Sequence, residues 1–399
     1  MGVLIAGRRL EGVDAWRAVL LALGIALHAA TDPSGWYQWV GVATHKFRME
    51  AFFAISGLLA TFSLAKQGGT RWLARRAVAL GVPAAVALVV LNVPTGVLLE
   101  WAGDQRSGRP LVLSALHLPI LHLWFLPVLL GCSVLVAWLW TNPAPLRRCE
   151  AAVGRMAQGR SGTVQHAMLI AGFCALSLVG AYLEQVFIDL DAATAYTSRI
   201  GAGLMHAFAE TGARLPYYLV FYLLGWQIGR QPQFAERCLG HQKTLLVLAL
   251  AGVAAIVAMY LVRGSEVFPY ADENLLGGGR VFGWVSKALI AAPATLLVLG
   301  HAVRIRRVSP AIIRFSQASY TMFITHFFLI ALVWAMLGNV GWGTTVQYLA
   351  TIAIALAGSY AFHFRVVERS AILRYALNGH GRLRDLIPAG GFYSARLYR

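Results

Sequence analysis

Ten apolar windows recur along the chain, at about 14–31, 48–65, 77–99, 121–141, 164–184, 215–230, 243–262, 280–302, 316–337 and 345–365. Each approaches the ~20 residues that a helix needs to cross the hydrocarbon core of a bilayer. The pattern predicts an all-α fold, a polytopic membrane helix bundle of about ten transmembrane helices. Its first window, D-A-W-R-A-V-L-L-A-L-G-I-A-L-H from Asp14 to His28, carries three ionisable groups. At 100° per residue Arg17 lies about 60° and His28 about 40° from Asp14, so all three share one helical face. Ionisable groups inside a spanning helix are costly, face a bundle interior or a wet cavity, and mark function. The plainer alternative is a snorkelling Arg17 and a packed, hydrogen-bonded His28.

Composition agrees with the windows. Of 399 residues, 58% are hydrophobic and 13% charged, where a soluble domain carries about 25% charged residues. The formal charge of +17 raises nucleic acid as a partner. The basic residues lie in short connections rather than in one block, so no nucleic acid is expected. Alternate connections hold 24 and 8 Lys or Arg, with Arg17 and Lys287 inside windows. This three-to-one bias predicts both termini in the cytoplasm. Cys132, Cys149, Cys174 and Cys238 show neither disulfide nor metal spacing. No small-x-small cleavage site follows the first window, which reads as a retained anchor. The two longest outer connections, about 185–214 and 263–279, contain acids and a Gly-Gly-Gly run, and read either as part of an acceptor site or as solvated loops. Residues 1–370 form the membrane domain. A basic cytoplasmic tail, 371–399, is expected to lie against anionic lipid.

Further chemistry clusters at the window ends. The second window opens H-K-F-R-M-E (45–50), which sets Arg48 and Glu50 at about the depth of His28. Glu50 reads as a partner for the imidazole or as an interfacial partner of Arg48. Lys66, Arg71, Arg75 and Arg76 crowd one inner connection. Guanidinium forks suit phosphates, although positive-inside topology alone also puts basic residues there. His122 and Trp124 open the fourth window, the Trp as belt anchor or sugar-stacking platform. Ser319, Tyr320 and His326 fall in the ninth, where His326 is a second intramembrane histidine or a core one bonded to a backbone carbonyl. Ser56-Gly57 is a small pair suited to close helix packing. The sequence has no GxSxG, HExxH, Walker or CxxC motif, and no metal is expected.

Taken together, these segments resemble acyltransferase family 3. The resemblance rests on Arg17-x10-His28, F-F-x-I-S-G from Phe52 to Gly57, and the Arg-rich entry to the third window ending at Pro83. It rests also on H-L-W-F-L (122–126), F-Y-L-L-G-W-x-x-G-R (221–230), S-Y-x-x-F-x-x-H (319–326) and Glu368-Arg369. Several of these match best the branch that succinylates periplasmic glucans. Two positions depart from the pattern: Ala79 stands where the family often repeats Arg after Arg76, and Ser370 where Pro is common.

The resemblance implies a multi-pass enzyme of the bacterial inner membrane, an O-acyltransferase using a cytosolic acyl-CoA donor (succinyl-CoA or acetyl-CoA) and a hydroxyl of an extracytoplasmic glucan or other glycan as acceptor. In that scheme His28 is the base, Glu50 its partner, and Arg17 holds polar groups of the donor or stabilises charge on the thioester oxygen. Arg71, Arg75 and Arg76 hold the CoA phosphates. Arg48, His122, Trp124, Ser319, Tyr320 and His326 contact substrate. Partners are membrane lipid and the glycan, and a homo-oligomer is compatible with the sequence. A transporter without acyl transfer is the rival class.

Overall fold

The computed structural model describes residues 10–30, 36–107, 121–157, 161–193, 199–263, 278–338 and 340–380. Among the described residues it is built from helices: α1 (Glu11–Ala29), α2 (Gln38–His45), α3 (Arg48–Gln67), α4 (Gly69–Ala87), α5 (Val93–Ser107), α6 (Phe125–Thr141), α7 (Ala144–Ala157), α8 (Gly162–Ala193), α9 (Arg199–Arg230), α10 (Pro232–Leu239), α11 (Gln242–Arg263), α12 (Gly278–Arg304), α13 (Pro310–Leu337), α14 (Thr344–Phe362) and α15 (Ala371–Asn378). A π turn, Leu88–Asn92, joins α4 to α5, a 3₁₀ turn, Leu121–Trp124, leads into α6, and a second π turn, His363–Val367, follows α14. Eight of these stretches are long and apolar enough to cross a membrane, nine if α10 and α11, bent by 54°, act as one span. The chain is an all-α, multi-pass membrane bundle. The window at 215–230 lies in the C-terminal half of the 32-residue α9, which is not among those eight.

The expected connection at 185–214 is mostly helix: α8 runs to Ala193 and α9 starts at Arg199. Acidic residues such as Asp189 and Glu210 lower hydropathy without breaking a helix, so a hydropathy window finds where apolar character stops rather than where the helix does. The connection at 263–279 lies almost wholly outside the described residues. Most of the tail, 381–399, is outside them too, whereas 371–378 forms α15. That helix is capped by Ser370, whose side chain accepts from the Leu373 amide, and ends on Gly379 at φ 61°, the left-handed conformation that favours glycine.

The centre of the bundle is the seam between α3 and α9. An added Cβ on Gly57 would overlap the Tyr222 carbonyl oxygen, and one on Gly225 the Ala54 carbonyl oxygen, so the two backbones touch. Thr61 Oγ1 donates across the seam to the Trp226 carbonyl at 3.0 Å. Small residues allow this contact where lipid supplies no hydrophobic drive between helices. Around the seam, α8 packs on α9, α6 on α4 and α9, and α13 on α1, α5 and α14. At the N-terminal end of α1, Gly12 lies against the Ala302 backbone and Glu11 Oε2 accepts from the Val308 amide at 2.8 Å. α1 is thereby held against α12 and the start of α13, with its polar face toward the interior.

Candidate functional site

That polar face opens on a cavity of about 390 Å³ lined chiefly by α1, α3, α4, α6 and α13, with single residues from α2, α8 and α12 and two from α9, within the ~300–1,000 Å³ usual for ligand sites. Arg17, Gly24 and His28 line it from α1, Arg48, Phe52 and Ser56 from α3, Arg76 and Leu80 from α4, and Ser319, Tyr320 and His326 from α13. His122 and Trp124 close it from the 3₁₀ turn. Along α1, Arg17 and His28 are about 16 Å apart at ~1.5 Å per residue, so the cavity is elongated.

Toward the N-terminal end of α1, Arg17 is fixed by its own helix and by α13. Its Nη1 lies 3.7 Å from Asp14 Oδ1, and its Nη2 donates to Ser319 Oγ at 3.4 Å. Ser316 donates to the same Asp14 oxygen at 3.4 Å. Tyr320 donates to the Ala79 carbonyl at 2.9 Å, tying α13 to α4 beside Arg76. A Cβ on Gly379 would overlap Ala79 Cα, so the end of α15 covers the position where the family often repeats Arg. Next to it, Thr321 donates to Asn378 Oδ1 at 2.9 Å and meets His363 Nδ1 at 2.7 Å. Arg71 and Arg75 are exposed, Arg75 donates to Gln67 Oε1 at 3.1 Å, and neither lines the cavity. Of the three arginines expected to hold donor phosphates, Arg76 alone reaches it.

The far end gathers aromatic rings and cations. His28 lies 5.5 Å from His326 and 5.0 Å from Phe327 between ring centroids, and His122 lies 4.9 Å from His326. His326 is 2% exposed, and its Nδ1 is within hydrogen-bond reach of the Phe323 and Met322 carbonyls at 2.8 and 3.1 Å. His326 is thus bonded to its own helix and also faces the cavity. Arg48 crosses onto α1 at Gly24, where an added Cβ would overlap Nη1 and stand 3.2 Å from Cζ. That puts a guanidinium one helical turn from His28, about 6 Å along the axis. Trp124 carries the Arg214 guanidinium 4.3 Å from its ring centre and lies 5.2 Å from the Tyr218 ring.

Glu50 is placed off the cavity, against α9. It is fully buried, accepts from the Tyr217 hydroxyl at 2.7 Å, and is absent from the cavity wall. The reason is the seam: α9 approaches α3 so closely that the inward carboxylate meets Tyr217 first, and Lys287 Nζ stands 4.3 Å over that same ring. Lys46, Arg214, Tyr218 and Lys287 are cavity residues that motif reading passed over. Lys287 carried a signal, since it is the second cation inside a window besides Arg17. Among the described residues, six Arg or Lys side chains (Arg17, Lys46, Arg48, Arg76, Arg214, Lys287) and no Asp or Glu line the cavity. Among the described residues no group of three or more His, Cys, Asp or Glu is arranged to hold a metal ion.

The family model described as an acyltransferase domain matches residues 10–364, most of the chain. The chain belongs to acyltransferase family 3. Curated relatives within reach of this family 3 chain include glucans biosynthesis protein C of Shigella dysenteriae serotype 1 (strain Sd197), 30% identical over 146 residues. The protein of the same name from Escherichia coli O6:K15:H31 (strain 536 / UPEC) is 27% identical over 146 residues. Each alignment covers 32% of this chain and 38% of the relative, so the chain matches well under half the length of these proteins. No solved structure matches.

Proposed function

We propose that the protein is an O-acyltransferase that takes an acyl group from cytosolic acyl-CoA and transfers it to a hydroxyl of an extracytoplasmic glycan, in the manner that the relatives' name, glucans biosynthesis, invites. The observation that carries this reading is the elongated cavity, lined by no Asp or Glu among the described residues, with an arginine pair, Arg17 and Arg76, at one end and His28 at the other. A donor bearing phosphates meets cations on the side where the loop charges set the cytoplasm. Arg76 would take a phosphate of the CoA. Arg17, too far along α1 to reach a carbonyl beside His28, would bind polar groups of the pantetheine arm.

At the far end His28 would remove the acceptor hydroxyl proton as the new ester bond forms, then return it to the departing thiolate. Arg48, one turn away across Gly24, is the cation that would meet negative charge developing on the thioester oxygen. Trp124 and Tyr218 offer flat faces for a sugar. Six cations with no carboxylate favour an acyl group that itself ends in a carboxylate, hence succinyl over acetyl. The experiment is transfer in liposomes of known orientation, with isotopically labelled succinyl-CoA inside and a glucan outside. Labelled glucan and free CoA should appear in equal amounts, and His28→Ala should abolish both while the protein still folds. Glucan crossing the membrane without release of CoA would show an exporter instead.

A further inference from the structure

Imidazole has two ring nitrogens, and a neutral base works only when the nitrogen facing the proton is the bare one. In hydrolytic triads a carboxylate settles this by accepting from the other nitrogen. Here the obvious carboxylate, Glu50, accepts from Tyr217 and does not line the cavity, whose described wall has no Asp or Glu. A carboxylate placed beside Arg48 would in any case pair with the guanidinium before it oriented a ring.

Across the cavity, the His326 imidazole stands 5.5 Å from the His28 ring. Its Nδ1 faces the carbonyl oxygens of Phe323 and Met322, which only accept, so that nitrogen must carry the proton. Neutral His326 therefore presents a lone pair at Nε2. Phe327 stands edge-on to His28 at 85°, restricting the ring plane and leaving the choice of protonated nitrogen open. Charged and titratable groups around the pair are Arg48 from α3, His122 from the 3₁₀ turn and His45 from the end of α2, all of them lining the cavity.

We propose that His326 is the positioning residue of this site: its bare Nε2 accepts from one ring nitrogen of His28 and so keeps the other unprotonated toward the acceptor hydroxyl. The inference rests on the acyltransferase reading. In the reaction the hydroxyl O–H breaks to His28, the acyl carbon–oxygen bond forms, and the carbon–sulfur bond breaks. The His28 imidazolium then shares its far proton with His326 until its new one passes to the thiolate. A neutral acceptor does this without adding negative charge beside Arg48. The 5.5 Å centroid separation leaves this contact looser than a bond, as is common before substrate closes a site.

The test uses the full-length protein in nanodiscs with ¹⁵N-labelled histidine, the His28 signals being assigned by their loss in His28→Ala. The wild type should show one dominant His28 tautomer, and His326→Leu should show a mixture of both. In kinetics, His326→Leu should lower kcat about 100-fold, at the low end of what proton-transfer catalysis contributes, with the donor KM within twofold. His326→Gln, which keeps an acceptor at the Nε2 position, should recover at least tenfold of that loss. A mixed tautomer in the wild type, or an unchanged tautomer in His326→Leu, overturns the proposal. Equal losses in the Gln and Leu variants overturn it as well. If the wild type transfers no acyl group at all, the reading of function fails, and the tautomer measurement still decides the role of His326. Should His326→Leu not fold, the wild-type tautomer together with the Gln variant decides it.

Discussion

Gly24→Ala separates the chemistry of this site from its stability. Gly24 is buried in the middle of α1, and the Arg48 guanidinium lies where its side chain would be. A Cβ there would overlap Nη1 and stand 3.2 Å from Cζ, inside ordinary contact distance. The head group must then shift by on the order of 1 Å, a misplacement that can cost about 100-fold in rate, or about 2.7 kcal/mol in the barrier. The same change replaces the most flexible residue in a helix interior by the best helix former, which stabilises by about 0.5–1 kcal/mol. The variant is thus expected to melt in detergent at or above the wild-type temperature while its kcat for acyl transfer falls about 100-fold. Gly172→Ala in α8 is the control, because nothing lies within 4 Å of its added Cβ and it should leave kcat unchanged. In an Arg48→Ala background, Gly24→Ala should cost little more, since the displaced group is already gone. A Gly24→Ala enzyme with kcat within threefold of wild type would refute the assignment of Arg48 to the reacting centre.

Three further outcomes follow from the geometry. Arg76→Leu should raise the donor KM about tenfold or more, the loss of one charge-assisted contact, whereas Arg71→Leu should leave it within twofold; steady-state kinetics with varied acyl-CoA checks this. Gly225→Ala forces α9 off the Ala54 carbonyl and should destabilise the bundle by about 1–3 kcal/mol as overpacking does, visible as a lowered melting temperature in the same detergent. Tyr217→Phe removes the donor to the buried Glu50 and should cost about 1–3 kcal/mol of stability, with kcat in the surviving folded protein changed less than threefold; a collapse of kcat would restore Glu50 to the catalytic centre.

What could be read along the chain was whatever depends on neighbours in sequence. Window length and hydropathy are local properties, so an all-α bundle followed from them, and the Arg17–His28 stripe followed from helical periodicity alone. Lys287 was legible in the same way as a charge inside an apolar window, although no motif surrounded it. The departure at Ala79 was visible in sequence, but its covering by Gly379, 300 residues away, was not.

Glu50 shows where such reading stops. Depth along a helix put it level with His28, but whether a carboxylate meets a histidine or a tyrosine depends on which helix packs against which face. The Gly57 and Gly225 contact draws α9 onto α3 and gives Glu50 to Tyr217. Arg48 reaches the His28 end of the cavity for the converse reason, a gap left by Gly24 on another helix. Hydrophobic length and charge bias act along the chain and determine that it crosses a membrane many times. The pairing of polar groups acts across helices, over separations that no window in sequence contains, and only the packed bundle determines it.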